Sequence, residues 1–301
     1  VTGLERYARC AFQGHAQVVL AARESELTSE LPDAREEGTL IHEALAAAFL
    51  ATQALWARRP RNTAALWEQG EAAADFVLER WQGHAPLRAV VRLRVRDAVR
   101  AVLRVAIEDE TWDFALAEQP FGARSGPTWP VFVLEDGDLR LALRGTIDRV
   151  DRAHDERSLR VIDYKRSKTT VQASGSGLGE TALQVPLYAC VASRQLGAPA
   201  TGAYVPTQAR DVGAGNKPSA KAAARMEELV ARAPGAPFAE IERRALSLIA
   251  AARSGALVPI PASESECRLC DVSGGCRKPR FAMAPVDEGE DEPGRAPTDA
   301  S

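Results

Sequence analysis

The chain has 301 residues, 46 % of them hydrophobic and 26 % charged, with 38 Lys+Arg against 41 Asp+Glu for a formal net charge of -3. These ordinary values exclude a collagen-like, low-complexity or wholly disordered protein, and the length is ample for a substantial core in one large domain or two ordinary ones. The near-neutral balance argues, at first sight, against nucleic acid as a partner.

In chain order, Leu4, Tyr7 and Ala8 stand at helical spacing and lead to Cys10. Leu40, Ile41, Ala44, Leu45, Ala48 and Phe49 predict a helix from Glu36 to Trp56 with a wide apolar face. Its uncharged run from Ala44 to Ala57 falls short of the roughly 20 residues that span a bilayer. Further helices are expected over about 62–82 and 87–110. The texture then changes to strands at Val131–Leu134, Leu139–Val150 and Leu159–Lys165, the last two joined by a polar, hairpin-like stretch. Residues 166–179 are polar and rich in Gly and Ser, which reads as a loop. A helix over about Glu180–Gln195 follows, and Pro186, tolerable only in a first turn, puts its start close to Gln184. A short strand at Ala203–Val205 and helices near 218–233 and 238–254 complete the pattern before a cysteine-rich segment. This order predicts an α/β fold with a small mixed sheet inside a helical shell.

Residues 1–284 read as one domain, and 285–301 as a disordered acidic tail without apolar periodicity. The tail carries six acids and one base, so the remainder holds 37 basic against 35 acidic residues. The overall charge therefore describes a mildly basic domain with an acidic tail, and nucleic acid is not excluded. No signal or membrane segment is visible, and five cysteines without a signal peptide point to a reducing, cytoplasmic setting with no membrane partner. The opening Val1 is what an excised domain or a trimmed start would show.

Leu159-Arg-Val-Ile-Asp-Tyr-Lys165 is the most informative segment. On a strand, Asp163 and Lys165 share one face and Tyr164 takes the other. Such a pair suits either an exposed ion pair, which contributes little, or a divalent cation held by Asp163 with Lys165 beside a water nucleophile. Context favours the cation. Gly145-Thr-Ile-Asp148 lies on the preceding strand, and hairpin pairing brings Asp148 within reach of Asp163. Converging carboxylates repel unless a cation of the Mg²⁺ type joins them. His42 follows Gly38 by one helical turn on the same face, and Gln184 and Tyr188 share a helix face.

Gly38-x-x-x-His42, Gly145-x-x-Asp148-Arg-Val-Asp, Ile162-Asp-Tyr-Lys165 and Gln184-Val-Pro-Leu-Tyr188, in this order, resemble the PD-(D/E)XK nucleases of the RecB and AddB type. The resemblance spans essentially residues 1–280. It implies a restriction-endonuclease-like core, a small mixed β-sheet flanked by helices, and Mg²⁺- or Mn²⁺-dependent cleavage of DNA. It further implies His42, Asp148 and Asp163 as metal ligands, Lys165 as catalytic, and Gln184 and Tyr188 as residues on the DNA side of the site. Glu118 looks like the acidic position that precedes the β-hairpin. Arg166-Ser167 departs from the Thr-Gly or Ser-Gly that commonly follows the lysine, and Cys10-Ala-Phe12 from Cys-Pro-Phe.

Cys267-x-x-Cys270-x5-Cys276 is a compact ligand run in want of a fourth partner, and Cys-x2-Cys alone reads first as zinc. With Cys10 near the other end, the arrangement resembles the [4Fe-4S] staple of AddB-type nuclease domains, which implies extra N- and C-terminal helices joined at that cluster. Cys190 sits in an apolar helix and reads as a small buried hydrophobe. Arg92, Arg96, Arg100 and Arg104 recur every four residues and suit either a solvated helix face or a phosphate track, whereas Arg6, Arg9, Lys165, Arg166 and Lys168 lie on the motifs themselves. Gly213-Ala-Gly-Asn-Lys217 lacks the glycine that a phosphate loop needs before its lysine. The resemblance thus implies a nuclease domain of a helicase–nuclease for recombinational repair, its motor elsewhere. A free-standing exonuclease like those of CRISPR adaptation and a non-cleaving iron–sulfur scaffold are the alternatives.

Overall fold

A computed structural model describes residues 1–22, 34–83, 85–212, 220–231, 238–268, 270–276 and 278. The look-alike phosphate loop at 213–217 and the acidic tail at 285–301 lie outside the described residues.

Two short helices, α1 (Thr2–Arg9) and α2 (Ala11–Val18), open the chain. A helical layer follows: α3 (Ala34–Ala51), α4 (Gln53–Trp56), α5 (Thr63–Arg80) and α6 (Arg88–Glu108). The apolar stripe read from the sequence is the stripe that α3 buries, with Leu40, Ala44, Leu45, Ala48 and Phe49 sealed against α5 and α6. The single helix expected over 36–56 is interrupted at Thr52, whose hydroxyl bonds to the Ala48 carbonyl (2.9 Å) and accepts from Trp56 Nε1 (3.0 Å).

The strands are β1 (Trp112–Phe121), β2 (Phe132–Asp136), β3 (Leu139–Leu143), β4 (Gly145–Ala153), β5 (Leu159–Lys165) and β6 (Ala200–Pro206). Four form a mixed sheet in the order β1-β4-β5-β6, antiparallel except for the parallel β5–β6 pair. A parallel pair needs a crossover, here made by α7 (Lys168–Ser176) and α8 (Gln184–Leu196). α9 (Ala220–Ala231), α10 (Ala239–Arg253) and α11 (Ser265–Arg268) follow. Leu159 and Val161 face the core built with α8 and α10, while Ile162 and Tyr164 face the core built with α3, α5 and α6. The expected alternation along β5 therefore holds.

Two expectations are corrected and one strand is added. Leu139–Val150 is two strands in two sheets, since the chain leaves the β2–β3 hairpin at Arg144 and enters the main sheet at Gly145. Residues 166–179 contain α7, started by the Ser167 side chain, which accepts from the Thr170 amide, and packed on β6. The edge strand β1 was not anticipated. Its alternation is broken by a bulge between Phe114 and Leu116, by the left-handed Glu118 (φ 45°) and by Pro120, which only an edge strand accommodates.

Arg149 and Asp151, the inner part of the Asp148-Arg-Val-Asp motif, are both buried and joined in a bidentate pair of 2.5 and 3.0 Å. Arg160 of β5 adds a contact of 2.8 Å to Asp151, and the Arg149 guanidinium lies 4.1 Å from the centre of the Phe49 ring of α3. These two motif residues are thus structural, locking β4 to its neighbours. No helix among the described residues is long and apolar enough to cross a membrane.

Candidate active site

The β4–β5 ladder ends at the pair Arg149↔Ile162. One residue farther, the Asp148 carboxylate replaces the missing strand contact: its Oδ2 accepts the Tyr164 amide at 2.8 Å. This leaves Oδ1 facing His42 of α3, whose Nδ1 is 3.6 Å away. Glu118 Oε1 reaches the same nitrogen at 3.5 Å from the facing strand β1. His42, Glu118 and Asp148 form a trio whose ligand atoms all lie within 4.8 Å of one another. Glu118 itself holds a left-handed backbone (φ 45°), a conformation that costs energy in any residue with a Cβ. The edge of the Tyr164 ring against His42, centroids 5.7 Å apart, holds the imidazole in place.

Asp163 stands beside this trio rather than within it. Its Oδ2 is 2.6 Å from Lys165 Nζ, a close ion pair inside the buried site. Lys165 donates to Gln184 Oε1 at 3.0 Å, and its ammonium lies 5.1 Å from the Tyr204 ring centre. Gln184 is the first residue of α8, as Pro186 required. Tyr188, one turn on, is buried, and its ring meets Phe121 edge-on at 5.8 Å. A Cβ on Gly145 would sit 3.0 Å from the Tyr188 hydroxyl, which explains why this motif position is glycine. Gly38 faces open space on the groove side of α3.

The electrostatics favour a cation. Burial, and then the Asp163 carboxylate, push the Asp148 carboxyl up to about 7. Burial likewise raises Asp163, against the pull of Lys165. At His42 burial works against the charged ring, but Glu118, Asp148 and Asp163 outweigh it and raise its pKa. Carboxylates crowded in this way gain most from a divalent ion. One imidazole and several converging carboxylate oxygens fit a hard cation such as Mg²⁺ or Mn²⁺.

A groove of about 300 Å³ runs from this centre, lined by Gly38, His42, Arg94, Lys165, Arg166 and Arg210 among others. Three of the four regularly spaced arginines of α6 are tied to α5 or to the residue after it. Arg92 donates to the Glu79 and Trp81 carbonyls (2.8 Å each), Arg96 pairs with Asp75 at 2.7 Å and Arg100 with Glu71, all on or after α5.

The two ends of the chain meet at the cysteines. Cys10 bridges to Pro261, the Ala262 amide donates to the Arg9 carbonyl at 2.7 Å, and α1 packs on α10. Burial raises the Cys270 thiol against the opposing Val272 amide, and the fields of Cys10, Cys267 and Cys276 add to the rise, so the four thiols are within electrostatic reach of one another. Among the described residues no three cysteine sulfurs lie within 4.8 Å of one another. Cys190 is buried elsewhere, against Glu242 at 3.2 Å, as a structural cysteine.

Glu5 escaped the sequence analysis. It is buried, and its Oε1 accepts the amides of Leu183 (2.7 Å) and Gln184 (2.9 Å). The one signal was an acid on the apolar side of a short helix, between Leu4 and Ala8.

The β4–β5 pair thus parts around Asp148, Asp163 and Lys165, with His42 and Glu118 closing the site. The sequence profile of the PD-(D/E)XK nuclease superfamily matches residues 1–277, and the chain belongs to that superfamily. No curated protein sequence matches it at a significant level.

Proposed function

We propose that this chain is a Mg²⁺- or Mn²⁺-dependent deoxyribonuclease in which His42, Asp148 and Asp163, joined by Glu118, hold the metal. The observation that carries the proposal is the juxtaposition of the His42–Glu118–Asp148 trio with the Asp163–Lys165 pair at one parting of two strands. A bound divalent cation supplies polarisation of the scissile phosphate and a more acidic water. Lys165, held between Asp163 and Gln184, keeps its ammonium where an attacking water is oriented or where charge develops on the phosphate. Lys165, Arg166 and Arg210 line the groove with cations that attract a phosphate backbone, whereas Arg94 there is paired with Glu37 at 2.6 Å. Gln184 and Tyr188 act as supports, Gln184 on Lys165 and Tyr188 on the β4 entry at Gly145.

The finer reading is the exonuclease domain of a cytoplasmic helicase–nuclease for double-strand-break repair, stapled by a [4Fe-4S] cluster on Cys10, Cys267, Cys270 and Cys276. Cys10 next to Pro261, together with the mutual fields of Cys10, Cys267, Cys270 and Cys276, supports a four-thiolate site of this kind. The motor would reside in another segment or subunit. Anaerobically purified protein, given end-labelled linear and circular single-stranded DNA with Mg²⁺ or EDTA, tests the reading. Mg²⁺-dependent loss of linear DNA alone is the expected result. Cleavage of circles makes it an endonuclease, and no cleavage by cluster-loaded protein makes it a DNA-binding scaffold.

A further inference from the structure

The helix α8 carries both Gln184 and Tyr188, yet it begins without a cap of its own. Leu183 occupies its N-cap position and offers no side-chain acceptor. Helix N-termini leave amides that need partners, and burial makes an unmet amide costly. Here the partner comes from the far end of the sequence. Glu5, 6 % exposed, presents a single oxygen to the amides of both Leu183 and Gln184. A carboxylate at this end also meets the positive pole of the helix. The residue whose amide is held is the residue whose side chain holds Lys165, at 3.0 Å. The chain of contacts is short and each link is polar: Glu5 to the Gln184 backbone, Gln184 Oε1 to Lys165, Lys165 to Asp163.

We infer that Glu5 is a positioning residue for the nuclease site, acting through the first turn of α8 to fix Gln184 and hence the Lys165 ammonium. The inference rests on the nuclease reading above. α1, which carries Glu5, ends at Arg9, where the chain enters the cysteine neighbourhood through Cys10 and the Arg9–Ala262 backbone contact. The helix is therefore a strut between the cysteine end and the lysine.

Glu5→Ala and Glu5→Gln test it. Glutamine keeps an oxygen that can accept both amides, whereas alanine leaves them unpaired. In Glu5→Ala the rate of the chemical step should fall roughly 10- to 100-fold, as misplacement of a reacting group does, with KM for DNA and Mg²⁺ affinity unchanged. Glu5→Gln should recover most of that rate. A purely structural role would lower Tm in both variants and leave kcat per folded molecule intact, and that pattern overturns the inference. Amide hydrogen exchange provides a second readout independent of cleavage. Residues 183–188 should lose protection in Glu5→Ala and keep it in Glu5→Gln, whereas unchanged protection in both overturns the inference. If Glu5→Ala does not fold, the Glu5→Gln and Glu5→Asp pair carries the comparison. Asp, one methylene shorter, should lose rate and protection, and equal values for the two overturn the inference. Wild-type protein that cleaves while Glu5→Ala cleaves equally well refutes the strut alone, whereas wild-type protein that fails to cleave refutes the nuclease reading and leaves the exchange result to decide the strut.

Discussion

Replacing Asp148 by Asn should stabilise the metal-free protein while removing its response to Mg²⁺. Burial and the Asp163 carboxylate raise the Asp148 pKa from 3.8 to about 7. Because the folded value lies above the unfolded one, this group favours the fold fully only below pH ~4, and its contribution is lost as pH rises through ~7. A gap of about three units corresponds to about 4 kcal/mol between acid and pH ~8. Asparagine keeps an acceptor for the Tyr164 amide, at 2.8 Å in the wild type, but carries no charge for Asp163 to repel. The weaker neutral hydrogen bond takes back roughly 1–2 kcal/mol. The variant should therefore be about 2 kcal/mol more stable than wild type in EDTA near pH ~8, with the difference vanishing or reversing near pH ~4.5. Urea denaturation at both pH values measures this, and Mg²⁺ added at the higher pH should stabilise wild type and leave the variant unmoved. A variant less stable than wild type in EDTA at the higher pH would show that the carboxylates do not strain the empty centre.

Gly145→Ala places a methyl 3.0 Å from both the Tyr188 hydroxyl and the Phe121 ring, and overpacking of this kind should cost about 1–3 kcal/mol in denaturant titrations. No loss would mean that the glycine has another reason. Glu118→Gly removes the left-handed strain at φ 45° and should raise apo stability by about 1 kcal/mol while weakening Mg²⁺ binding in calorimetric titration. An unchanged Mg²⁺ affinity would take Glu118 out of the ligand set. Anaerobically purified protein should be brown, and Cys10→Ser should bleach it and lower Tm; a colourless, zinc-containing wild type would contradict the cluster.

The sequence periodicities made α3, β5 and the start of α8 legible, because each rule behind them is local: a 3.6-residue apolar stripe, a two-residue alternation, a proline confined to a first turn. The pairing of β4 with β5, and with it the approach of Asp148 to Asp163, followed from adjacency in the chain. The edge strand β1 was illegible because its bulge, its left-handed residue and its proline each interrupt the period of two. With β1 unplaced, Glu118 had no geometric claim on the site, although it lies closer to His42 in the trio than Asp163 does. Helix α7 buries none of its residues, so no apolar pattern announced it. Glu5 meets Leu183 across 178 positions, a distance at which no spacing rule operates. The arginines of α6 show how one regular spacing serves two readings: Arg92, Arg96 and Arg100 bind acids and carbonyls of α5 and the residue after it, a solvated face as readily as a phosphate track.

Single-turnover cleavage of end-labelled single-stranded DNA by wild type and Lys165→Ala, each with Mg²⁺ and with EDTA, tests the central claim most directly. Wild type should cleave only with the metal. Lys165→Ala should be slower by about 10²–10³-fold, the loss typical of removing one charge-stabilising donor from a reaction centre. Metal-independent cleavage by wild type, or cleavage by Lys165→Ala at the wild-type rate, would contradict it.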